Sequence, residues 1–215
     1  MSADGSGFRL AVVGTGRVRG QIVMAGCPGR AARMPLPWNS EWCLRRDVTT
    51  LRHWGAEALV TLMEKSELTL MRVGELPELL AAHGIAWYHV PLAGGSMPDA
   101  RFEGLWHSVS ARLRAILWRG GRIAVHCGDG RSRAPLVTAK LLIELGCPTN
   151  DALNRVRGAR PGVLSRAEEH QFVLRQMPLA EVGEAGAPGV WDESSASRRH
   201  PADLDNPNQL DLLQA

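Results

Sequence analysis

Lysine is almost missing from this chain: of its 25 basic residues only Lys65 and Lys140 are lysines, so the cationic chemistry is overwhelmingly guanidinium. Guanidinium forks suit bidentate phosphate contacts. They are spread along the chain and leave a formal net charge of only +3, which gives no ground for a nucleic-acid partner, and none is expected. Cysteine is also sparse. Cys27, Cys43, Cys127 and Cys147 form no C-x-x-C pair, and their wide spacing excludes a disulfide scaffold or a zinc knuckle. Four reduced thiols are expected, with no metal and no cofactor. The first residues lack the basic start and apolar stretch of a signal peptide, and no apolar run approaches bilayer-spanning length. The expectation is a cytoplasmic protein without a membrane span, its oligomeric state left open.

What is present is enough apolar material, 45% of 215 residues, for one core and a single domain. Two β-branched stretches, 10–13 and 21–24, flank a Gly-bearing turn and read as a hairpin. After them helix and strand alternate. Helical spacing runs over 41–53, 76–83 and 99–118, and buried strands are expected over 56–63, 85–90 and 122–127. Pro77 suits a first helical turn, and Gly84 a C-terminal cap. Further helices are expected through Leu145, over 150–158 with Thr149 or Asn150 as N-cap, and over 165–176. The reading is an α/β domain with a mostly parallel central sheet flanked by helices, over 1–179. From 180 to 215 the composition turns to Gly, Ala, Pro, Ser, Asp and Asn, which reads as a flexible tail.

The chemistry lies in Ile123-Ala124-Val125-His126-Cys127-Gly128-Asp129-Gly130-Arg131-Ser132-Arg133. An apolar strand delivers a cysteine, five residues intervene, and an arginine opens a helix. That spacing lets the backbone curl so that successive N–H groups point inward, beside the positive end of the helix. The result is an anion cradle. Arg133 can grip two phosphate oxygens while Cys127 lies beneath the phosphorus as nucleophile, its thiolate favoured by the same donors without a partner base. Gly128, Asp129, Gly130, Arg131 and Ser132 form the phosphate-binding loop, and Gly128 and Gly130 suit its tight curl. His126 is expected to brace the loop by a hydrogen bond to the backbone. Asp129 is expected to point outward, because a carboxylate facing the cradle would repel phosphate.

These residues resemble the cysteine-dependent protein-tyrosine and dual-specificity phosphatases, especially the kinase-associated phosphatase and its small bacterial relatives. The resemblance covers most of 21–173. It includes Cys27-Pro28-Gly29, Trp54-Gly55-Ala56, His89-Val90-Pro91-Leu92-Ala93, Pro98-Asp99 and Arg160-Pro161-Gly162. It implies a protein-tyrosine-phosphatase-like fold, Cys127 as nucleophile, Arg133 as phosphate-binding arginine, and hydrolysis through a phosphocysteine. The substrate implied is a phosphorylated protein or a small phosphate ester.

The chain departs from the family pattern in two places. The family's general-acid aspartate falls on Gly94, which leaves Asp99, the nearest carboxylate, as catalytic candidate or alternatively as N-cap of the long helix. Ala134 stands where many relatives carry a hydroxyl that assists breakdown of the phosphocysteine. Near the position of a water-positioning glutamine in some relatives lies Glu169, which is expected to be an exposed helix residue. Three functions follow: a protein phosphatase, a lipid or small-molecule phosphatase suggested by Arg131, or a pseudophosphatase that binds phosphate with little turnover.

Overall fold

The computed structural model describes residues 8–16, 18–30 and 40–179; the expected tail, 180–215, lies outside them. The expected hairpin is formed by β1 (Ala11–Gly14) and β2 (Gln21–Ala25), antiparallel with Ala11 opposite Met24 and Gly14 opposite Gln21. Every other pairing is parallel. Strands β3 (Ala58–Thr61), β4 (Ala86–His89) and β5 (Arg122–His126) complete a five-stranded sheet in the order β1-β2-β5-β3-β4. The mostly parallel sheet read from the sequence is the sheet observed.

Central strand β5 is buried on both faces from Ile123 to His126, as its unbroken apolar run requires. One face packs against α4 (Ala100–Trp118), α5 (Arg133–Glu144), α6 (Thr149–Ala159) and α7 (Ala167–Leu174), around Phe102, Trp106, Leu113, Val137, Leu141 and Val156. The opposite face packs against α1 (Ser40–Trp54), α2 (Lys65–Leu70) and α3 (Leu76–Ala82), through Leu44, Val48, Leu51, Leu68 and Leu80. Every residue of α5 is buried, so its polar side chains need partners. Glu144 finds them on α4, accepting from Trp106 Nε1 at 2.7 Å and Arg114 Nη1 at 3.1 Å. Lys140 pairs with Glu103 at 3.0 Å.

Three local expectations need correction. Helix α6 is preceded by Pro148 as N-cap, with no side-chain cap, and Thr149 is already its first residue; proline, with its fixed φ, starts the helix without a polar side chain. Glu169 is 4% exposed rather than solvent-facing. Its Oε2 accepts the Arg166 N–H at 3.2 Å and its Oε1 pairs with the Arg166 guanidinium at 3.1 Å, which closes the first turn of α7. Short helix α2 was not anticipated at all. All four cysteines are buried and free, and no described helix is long and apolar enough to cross a membrane.

Candidate active site

Strand β5 ends at His126 and α5 begins at Arg133, so Cys127 and residues 128–132 form the connection at the carboxyl edge of the sheet. A parallel α/β sheet places its binding loops there. Gly130 has φ +71°, and a Cβ on it would lie 2.5 Å from the Ala25 carbonyl oxygen, so the curl against β2 admits only glycine. The loop is fastened from outside. Cys27 N–H donates to the Gly128 carbonyl at 3.1 Å, Arg30 Nη1 to the same oxygen at 2.8 Å, and Arg160 Nη1 to the Asp129 carbonyl at 3.2 Å.

With its carbonyls held outward, the loop leaves donors over. Among the described residues the N–H groups of Gly128, Asp129, Gly130 and Ser132 take no partner. Such a run of free backbone donors at a helix start is an anion nest. Cys127 lies at its floor, 0% exposed.

Arg133 is also enclosed, at 7% exposure, and is locked in orientation. Its Nη1 and Nη2 donate to the two oxygens of Glu67 at 2.6 and 2.7 Å, and Nη1 also reaches the Leu92 carbonyl at 2.8 Å. Burial works against the Arg133 charge, but the Glu67 hydrogen bonds outweigh it and hold the guanidinium above its ordinary value. Reciprocally, the Arg133 hydrogen bonds keep the Glu67 carboxyl below the usual carboxylate range. Glu67 escaped sequence reasoning because it sits on the six-residue α2. The available signal was Glu64-x-x-Glu67, since Glu67 Oε2 accepts the Glu64 N–H at 2.9 Å and starts that helix.

His126 is fully buried, and its Nε2 lies 2.7 Å from Thr61 Oγ1, which in turn accepts from Trp87 Nε1 at 2.8 Å. The brace runs to the side chain of β3, and the ring also meets the Cys127 backbone. Burial pushes the imidazole down to about 3. A neutral, enclosed ring holds the strand end in place and is not a base.

Asp129 does not point outward. Its residue is exposed, yet Oδ1 lies 3.9 Å from Cys127 Sγ and accepts the Arg131 N–H at 2.9 Å. The reason is local: a short carboxylate bonds readily to the backbone two residues on, an Asx turn, and the tight curl aims that turn across the sulfur.

Asp99 is placed differently from the catalytic expectation. Its Oδ1 accepts the Phe102 N–H at 2.8 Å as N-cap of α4, and it lines a cavity with Glu64, His89 and Arg101 to which residues 127–133 do not contribute. At Gly94, where the resemblance places the acid, a Cβ would lie 3.9 Å from Oε1 of Glu67, the carboxylate that holds Arg133. Asp99→Ala is accordingly expected to cost about 1 kcal/mol of stability. Thermal unfolding should register that loss, with kcat changed equally little for aryl and alkyl phosphates; a selective loss on alkyl esters would return Asp99 to the chemistry.

Cys27 borders the loop, but burial pushes its thiol up to about 12, so it is held protonated and poorly nucleophilic at neutral pH.

The architecture is that of the cysteine-dependent tyrosine and dual-specificity phosphatases. The structure of kinase associated phosphatase with its catalytic-site cysteine replaced by serine matches at a TM-score of 0.65 and 21% identity, covering 77% of this chain and 92% of that one. Tk-PTP in its active form matches at a TM-score of 0.54 and 18% identity, over 78% and 95% of the two chains. Within that class the chain belongs to the cyclin-dependent kinase inhibitor 3 family, whose model matches residues 8–152. The cyclin-dependent kinase inhibitor 3 of Rattus norvegicus is 26% identical over 135 residues, 60% of this chain and 61% of that protein. The chain thus spans about three fifths of the length of that curated relative.

Proposed function

We propose that this protein is a phosphomonoester hydrolase that works through a phosphocysteine, with Cys127 as nucleophile and Arg133 as clamp. The observation that carries the reading is the loop itself: a sulfur at the floor, four backbone N–H groups without a partner among the described residues, and a guanidinium held by Glu67 at the helix start. In the first step the Cys127 thiolate attacks phosphorus, the bond to the leaving oxygen breaks, and that oxygen takes a proton. Water then attacks phosphorus, the P–S bond breaks, and inorganic phosphate leaves with the thiolate restored. Negative charge spreads over the equatorial oxygens in both steps, where the loop donors and Arg133 are aimed.

The proposed substrates are phosphotyrosine or phosphoserine and phosphothreonine in proteins; the names of two relatives, both tyrosine phosphatases, support the first of these. A free or lipid-borne small phosphate is the second reading, favoured by Arg131 and the cavity beside it. Neither position considered for the leaving group's acid supplies one: Gly94 lacks a carboxylate and Asp99 caps a helix. Missing acid catalysis typically costs about 10² to 10⁴ in rate, mostly on poor leaving groups. Kinetics on para-nitrophenyl phosphate, phosphotyrosine peptide and phosphoserine peptide should therefore show aryl esters turned over faster by about that factor. Tight phosphopeptide binding with no turnover of any ester would replace the enzyme by a pseudophosphatase.

A further inference from the structure

Among the described residues, one N–H group between Gly128 and Ser132 is taken: that of Arg131, by the carboxylate of Asp129 at 2.9 Å. The same oxygen, Oδ1, lies 3.9 Å from Cys127 Sγ. An oxygen that meets both a backbone donor of the loop and the sulfur at its floor stands where an oxygen of a bound phosphate would stand. The nest already holds an anion, and that anion is the chain's own.

Around it the other donors are unmet. The N–H groups of Gly128, Asp129, Gly130 and Ser132 take no partner among the described residues, and neither does the buried Nε of Arg133. Both Nη atoms of Arg133 are committed to Glu67, so Nε is the part of the fork left for a ligand. One carboxylate oxygen does not satisfy so many donors, whereas a phosphoryl group brings several oxygens to the same place.

The carboxylate is also loosely held. Its bond runs only to the residue two positions on, and Asp129 and Arg131 are both exposed. Asp129 further lines a cavity of about 270 Å³ with Arg131 and Arg160, so a carboxylate that leaves the nest turns toward cations and solvent. It cannot stay beside a phosphate dianion, because like charges at hydrogen-bond distance repel strongly.

Resting on the phosphomonoesterase reading, we infer that Asp129 is a resident competitor for the nest: its carboxylate holds the place of one phosphoryl oxygen in the empty site, and phosphate enters by exchange, turning the side chain out. The Arg131 N–H passes from one acceptor to the other, and no covalent bond changes. Asp129 thereby sets the affinity for substrate, and its return helps to expel inorganic phosphate after the second step.

The test titrates inorganic phosphate into the full-length wild type and Asp129→Asn by calorimetry, with KM, kcat and melting temperature measured on the same two proteins. Asparagine keeps an oxygen for the Arg131 N–H, so the turn survives, but that oxygen carries no charge and is more easily displaced. The variant is expected to bind phosphate about tenfold more tightly, and KM for para-nitrophenyl phosphate should fall by a similar factor. A purely structural Asp129 would lower the melting temperature without tightening phosphate.

Unchanged or weaker phosphate binding by Asp129→Asn would overturn the exchange. So would a crystal structure of the wild-type phosphate complex in which the Asp129 carboxylate still accepts the Arg131 N–H. The two readings fail separately: if wild type hydrolyses no ester, the catalytic reading falls while a tenfold gain on phosphate still establishes the exchange. Esters hydrolysed with no gain from Asp129→Asn would remove the exchange alone.

Discussion

Cys127→Ser is expected to lower turnover of para-nitrophenyl phosphate by about 10⁴-fold or more, to the background of the assay, while inorganic phosphate still binds. The loss follows from the nucleophile: a serine hydroxyl is not ionised at neutral pH, and Asp129, the carboxylate that faces it 3.9 Å from the sulfur, is engaged by the Arg131 N–H. His126 is neutral and turned to Thr61, and Glu67 is spent on Arg133. Binding survives because the donors belong to the backbone of residues 128–132 and to Arg133, and oxygen is smaller than sulfur at a site with no solvent exposure. Turnover and phosphate titration of the two proteins decide the matter, and a serine variant with substantial activity would remove Cys127 from the chemistry.

Arg133→Lys should be nearly as damaging, with kcat/KM down by about 10² to 10³, the usual loss on removing a positioned donor to the transition-state oxygens. An ammonium group is a point charge. It cannot span both oxygens of Glu67 and reach the Leu92 carbonyl as the planar fork does. Part of the half-buried Glu67 charge then loses its partner, so a lower melting temperature should accompany the lost rate. Steady-state kinetics and thermal unfolding should move together, and a lysine variant of near-normal rate would contradict the assigned role.

The loop could be read from sequence because its parts are local. Strand, cysteine, five residues and arginine lie within Ile123 to Arg133, and the apolar run of β5 announces the strand. Sheet order was legible to the extent that alternating helix and strand imply parallel pairing, with the hairpin supplying the antiparallel edge. What escaped was set by partners distant in sequence or by very short elements. Glu67 meets Arg133 across 66 residues from a helix of six, too short to show periodicity. Asp129 was judged by the repulsion it would exert on phosphate, yet the bond to the Arg131 N–H fixes its position. Glu169 was judged by its charge, but Arg166 pairs with it through both its N–H and its guanidinium.

Arg160 has one more consequence, through the span of its contacts. Its guanidinium joins the Asp129 carbonyl to those of Met24 and Arg9, closing stretches of 31, 136 and 151 residues. Closures of that length come late in folding, after local helices and the hairpin have formed. The nest therefore acquires its shape only when the two ends of the domain meet. A chain refolding from denaturant should regain its helical signal before it regains any affinity for phosphate.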